Sequence, residues 1–116
     1  MNEWEVRVLT ADHFDRINTF LRARIDPLLG EARAAGNGDL VIALTSLSRA
    51  VESNYVLGTG VFNGEGPKEG REHEVGVRWD ALGTMAYEWR LHPDFQRAFE
   101  LSAGELGGVA PLLLDG

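Results

Sequence analysis

The sequence predicts a mainly α-helical domain, a small bundle of three to four helices with a minor N-terminal strand. Three observations carry that expectation. Apolar residues recur at helical spacing through two long segments, Phe14, Ile17, Leu21, Ile25 and Leu28 in one and Leu40, Leu44, Leu47, Val51 and Tyr55 in the other. Each segment therefore presents one apolar side. A further series, Val75, Trp79, Leu82, Ala86 and Trp89, steps by four, three, four and three. Five of the chain's ten aromatic residues (Trp79, Tyr87, Trp89, Phe95 and Phe99) fall between Glu74 and Phe99, which makes this stretch the expected keystone of the core.

At the N-terminus, Trp4, Val6 and Val8 alternate with Glu5 and Arg7, the period of a strand with one buried face. Thr10 suits a helix N-cap, because its hydroxyl can accept from a backbone N–H of the first turn, and Asp12 adds negative charge where the helix dipole favours it. Asp15, Arg16, Arg22 and Glu31 form the solvated side of this helix. Pro27 lacks an N–H and crowds the preceding turn, so a kink is expected there, or a restart with Asp26 as cap. Gly36, Asn37 and Gly38 end the element. Asp39 is expected to cap a second helix reaching about Asn54, and so short a turn folds the two into an antiparallel hairpin. Each apolar side chain buried in that seam contributes about 1.5 to 3 kcal/mol.

Residues 56–72, with Gly58, Gly60, Gly64, Gly66, Pro67 and Gly70, are expected to form a Gly-rich loop. An alternative pairs Tyr55 to Phe62 with His73 to Trp79, since Val75, Val77 and Trp79 also alternate. With the Trp4 strand this gives an α+β domain with a short three-stranded antiparallel sheet, although the glycines weaken such strands. A third helix is expected from about Asp80 to Arg90. Pro93 opens a short fourth one that sets Phe95 and Phe99 a turn apart and facing the core. Residues 102–116 read as a C-terminal tail whose Leu112, Leu113 and Leu114 fold back or dock on another chain.

Composition removes whole classes of function. The 116 residues read as a single domain, 1–116, and 44% apolar with 25% charged residues is a globular balance rather than a disordered one. Apolar runs fall far short of the roughly 20 residues that cross a bilayer. Glu3 and Glu5 stand where a secretory signal would be basic, so a cytoplasmic location without membrane contact is expected. The absence of cysteine excludes disulfides, thiolate nucleophiles and Cys-containing zinc sites. A net charge of −7, from 18 acidic and 11 basic residues, disfavours nucleic-acid binding, which needs a basic face.

The motifs that resemble chemistry have simpler readings. Gly58, Gly60 and Gly64 imitate a nucleotide loop but follow a helix instead of a buried strand, so phosphate binding is not expected. His73 lies between Glu72 and Glu74, yet adjacent residues diverge and no second His stands at zinc-face spacing, so no metal is expected. His13 reads as an exposed helix residue and His92 as a cap before Pro93. Ser46, Ser48, Ser53 and Ser102 lack a Gly-x-Ser-x-Gly turn, so no nucleophile, catalytic residue or cofactor is assigned. Trp79, Trp89, Phe95 and Phe99 follow helical spacing without interleaved basic residues, which marks core rather than a stacking platform. Met85 and Tyr87 fall off that stripe, and together with Leu112, Leu113 and Leu114 they are the candidate partner-binding residues.

Phe20 to Asp26, then Ala32 to Ala35, and later Ala86-Tyr87 and His92 to Phe95, are similar to the two ends of a family of small actinobacterial proteins of unknown function. The resemblance covers about a third of the chain and implies only a source in actinobacteria or their phages. Many members carry cysteines between these ends; this chain has none. The expected function is that of a small acidic interaction or accessory protein, phage-related in the sense of that resemblance, with a protein partner or a second copy and no catalysis of its own. The alternatives are a small enzyme or ligand-binding domain with its site between the Gly-rich loop and the helix after Asp80, and an acidic inhibitor of a DNA-acting enzyme.

Overall fold

A computed structural model describes residues 8–65, 69–106 and 108–109. Three helices account for most of them, α1 (Ala11–Ala34), α2 (Gly38–Phe62) and α3 (Arg71–Ala86), followed by two short 3-10 turns at Tyr87–Trp89 and Arg97–Glu100. No helix among the described residues is long and apolar enough to cross a membrane.

Helix α1 begins where expected. The Thr10 N–H donates to His13 Nδ1 at 3.0 Å, and the Thr10 hydroxyl lies 2.9 Å from the same nitrogen. This makes His13 part of the cap, and it is buried against the edge of Trp79 at 5.9 Å rather than exposed. The helix continues through Pro27 as one element. Ala23, whose carbonyl loses its partner there, faces solvent, so water can serve it. Its end is a Schellman motif: Gly36 takes φ 68°, its N–H donates to the Arg33 carbonyl, and the Asn37 N–H donates to that of Ala32.

Helix α2 departs from expectation at both ends. Asn37, not Asp39, is its cap, accepting from the Leu40 N–H at 3.2 Å. It runs on to Phe62 instead of stopping near Asn54. The glycines expected to break it serve close packing instead: Gly58 lies against the Phe14 ring, where a Cβ would come within 2.3 Å of Cε2. Of the expected 56–72 loop, residues 56–62 and 71–72 are helical, Gly64 and Gly70 adopt φ 85° and 78° in turns, and Gly66 and Pro67 lie outside the described residues. Pairing of Tyr55 to Phe62 with His73 to Trp79 is thereby overturned, since both segments are helical.

Among the described residues the minor strand and the three-stranded sheet are also not found. Trp4 and Val6 lie outside the described residues, and from Val8 onward the only extended pairing described is an isolated parallel bridge between Leu9 and Val109, closed by Leu9 N–H to the Gly108 carbonyl at 2.7 Å. Helix α3 begins at Arg71 rather than Asp80, and Val75, Trp79, Leu82 and Ala86 are all buried as their spacing requires. The helix expected from Pro93 is replaced by a turn in which His92 Nδ1 accepts the Asp94 N–H at 3.0 Å, while Gln96 is extended.

The hairpin of α1 and α2 is held on one side by Tyr55 to Asp15 at 2.6 Å and by Arg22 to Ser48 and Glu52. Helix α3 and the returning 87–106 segment cover the other side. Trp79 sits at the junction, 1% exposed, with Phe14 and Phe99 at ring separations of 5.5 and 6.4 Å, and its indole N–H donates to the Leu101 carbonyl at 2.8 Å. At 1.5 Å per residue α3 is about 24 Å long against about 36 Å for α1. The covering layer is therefore shorter than the hairpin, and Leu28, Leu40 and Ile42 at the turn end are 41%, 43% and 67% exposed.

Candidate functional site

Helix α2 is the most apolar of the three, yet only Val51, Gly58, Gly60 and Val61 of its 25 residues are buried. Burial of a single stripe is the mark of a surface helix, but such a helix normally carries polar residues elsewhere. Here Leu40 and Ile42 near one end, and Val56 and Leu57 near the other, remain open.

At the second of these places the open side chains line a groove. Val56, Leu57, Gly60 and Val61 of α2 face Arg71 and Glu74 of α3, with Glu65, Glu69 and Gly70 at the turn, around a volume of about 420 Å³. Its shape follows from the glycines. Gly60 lets the Glu65 carboxylate fold in close to the α2 backbone, where a Cβ would meet Oε1 at 3.3 Å, and Gly70 at positive φ turns the chain into α3. Arg71 is buried in the wall and donates to the Gly64 carbonyl at 3.4 Å. Glu74 is held by Arg78 at 2.8 Å. Glu65 and Glu69 are exposed at the turn.

A second groove, of about 380 Å³, flanks the other half of α3, lined among others by Asp80, Thr84, Tyr87, Glu88, Glu100 and Glu105. Its Glu105 carboxylate accepts the Ser102 N–H at 2.8 Å, which together with the Ser102 hydroxyl holds Glu105 below its ordinary value, while Ser102 Oγ accepts the Glu105 N–H at 3.1 Å. The expected ligand site between the Gly-rich loop and the helix after Asp80 is thus divided: the two grooves share no residue. A third hollow brings Arg16 and Arg24 beside Asp94 and Gln96. There Arg24 lies against the His92 ring and 3.9 Å from Asp94, and Arg16 is bonded to Asp12.

Of the residues expected to meet a partner, Met85 is half-buried and packed on the core, while Tyr87 is 46% exposed with the Arg90 guanidinium 4.6 Å above its ring. Leu112, Leu113 and Leu114 lie outside the described residues. Trp79 and Phe99 are buried and Trp89 and Phe95 pack against them, so the aromatic stripe is core. Among the described residues no group of three or more His, Asp or Glu is placed to hold a metal ion.

Val56 and Leu57 were not singled out by periodicity, because they stand off the Leu40 to Tyr55 stripe inside a segment read as loop. The signal was available in principle: Tyr55, Val56 and Leu57 are three consecutive apolar residues, which step through about 200° of a helix and cannot all lie on one buried stripe. Comparison of the chain with protein-family models, with curated protein sequences and with solved structures returns no match.

Proposed function

We propose that the chain is a non-catalytic protein-interaction module, whose partner covers the surface of α2 that its own fold leaves open. The observation that carries this reading is the exposure of Ile42, Val56 and Leu57 on an apolar helix of which four residues are buried. Large apolar side chains kept in water on a helix cost hydrophobic free energy that burial against a partner would recover. A cytoplasmic accessory protein of an actinobacterium or its phage, acting with a protein partner or a second copy, is the setting proposed with it.

The reading is tested by placing a photo-crosslinking side chain at Ile42, at Leu57 and, as control, at the exposed Asp12, in host extract, alongside light scattering of the purified protein. Crosslinks to a defined protein or to a second copy from Ile42 or Leu57, absent from Asp12, are expected. A monomer that crosslinks from all three positions alike, or from none, sinks the proposal.

A further inference from the structure

We infer that the groove between α2 and α3 receives a short cationic, amphipathic protein segment, with an apolar side chain seated on Val56, Leu57 and Val61 and flanking Lys or Arg meeting Glu65 and Glu69. This rests on the interaction reading and names the partner's chemistry. The floor is apolar and open, with Val56 51% and Leu57 45% exposed. A volume of about 420 Å³ is small for a ligand pocket but ample for one large apolar side chain.

The rim supplies the charge. Glu74 is already paired with Arg78, but Glu65 and Glu69 make no ion pair among the described residues. Among the described residues the cation in the lining is Arg71, which is buried and bonded to the Gly64 carbonyl, so its charge sits in the wall. From Glu65 to Glu74 the sequence holds four glutamates against Lys68 and Arg71, a balance of −2, on a chain of net charge −7. Approach of an acidic segment is therefore disfavoured at the mouth and over the surface at large, while a cationic one is drawn in. An apolar floor with a like-charged rim is self-repelling, which argues against a second copy seated groove to groove.

The test uses the full chain and three labelled fourteen-residue peptides of one amphipathic pattern, Leu/Lys, Leu/Glu and Ser/Lys, followed by fluorescence anisotropy and by amide chemical shifts. The Leu/Lys peptide is expected to bind with shifts confined to residues 56–61 and 70–74. Its affinity should fall with salt, and about tenfold or more in Val56→Ser/Leu57→Ser, where apolar contact is lost. Glu65→Gln/Glu69→Gln should weaken it about fivefold at low salt and leave it unchanged at high salt. Asp80→Asn/Glu100→Gln, in the other acidic groove, should have little effect. Equal binding of the Leu/Glu or Ser/Lys peptide, or equal weakening by the Asp80 and Glu100 pair, overturns the inference. So does a partner crosslinked at Leu57 through an acidic or uncharged segment, which would leave the interaction reading standing.

Discussion

At the Phe14 end of the α1–α2 hairpin, α3 and the 97–106 segment close over the seam, and Gly58 lets α2 ride on the Phe14 ring. At the Gly36 end the same two helices run on past α3 with Leu28, Leu40 and Ile42 open, and a Cβ added at Gly30 would meet nothing within 4 Å. One hairpin thus has a tightly packed end and a loosely covered one. The fold's stability is concentrated at the aromatic junction, and the apolar surface available to others lies on α2 at both ends, Leu40 and Ile42 at the loosely covered one and Val56 and Leu57 beside Gly58 at the packed one. Specific substitutions can break or sharpen this contrast.

The largest effect is expected for Trp79→Ala, which empties the junction and leaves the Leu101 carbonyl without its donor. A loss of about 3 to 5 kcal/mol follows from such truncations, a large part of the stability of a domain this size, and denaturant unfolding measures it. Next comes one substitution made at both ends. Gly58→Ala drives a methyl into Phe14 and should cost about 1 to 3 kcal/mol, reduced by a gain of about 1 from helix propensity. Gly30→Ala, in open space within α1, should instead stabilise by about 0.5 to 1 kcal/mol. If both change the melting temperature in the same direction, the contrast between the ends is wrong. Ile42→Ser should change stability by no more than about 0.5 kcal/mol while reducing crosslinking from the α2 surface.

The smallest effects concern pH. A hydrogen bond to Asp15 raises the Tyr55 hydroxyl above 10.0, helped by burial and by the nearby Asp15 and Glu52 charges. The proton is held more tightly in the folded chain, so this contribution is complete below the unfolded value near 10 and is lost as pH climbs through the folded one. Tyr55→Phe should remove that alkaline component from stability measured against pH. Glu105 has the opposite sign: lowered by Ser102, it contributes above its ordinary value of 4.5 and loses this as pH falls. Glu105→Gln should flatten that acidic limb, and Ser102→Ala, which keeps the backbone N–H, should flatten it only in part.

Much of the fold was legible because helical spacing and caps are local. The stripes of α1 and α3, the Gly-Asn-Gly turn and the Thr10 cap follow from side-chain geometry within a few residues. The errors cluster at glycine and histidine. Gly58 and Gly60 look the same in sequence whether they release a chain or admit a neighbour, and only Phe14, far away in sequence, decides between these. His13 reads as exposed beside Asp12, but the indole of Trp79 buries it. The Ser102 to Glu105 pair, spaced as a capping box, was readable and passed over because glycines surround it. Val56 and Leu57 were hidden by the loop reading, which removed the helix that would have shown them to be off the buried side.

By itself, then, the sequence determined that the chain is helical, where α1 starts, most of the stripe that α1 and α3 bury, and that it is acidic and without cysteine. Tertiary structure alone decided how far α2 and α3 extend, that the covering layer is shorter than the hairpin beneath it, and that apolar side chains and acidic ones meet between α2 and α3. Periodicity reports which side of a helix is apolar. Whether that side, or the one opposite, finds a cover depends on the lengths and crossing of elements distant in sequence, and that is settled only when they pack.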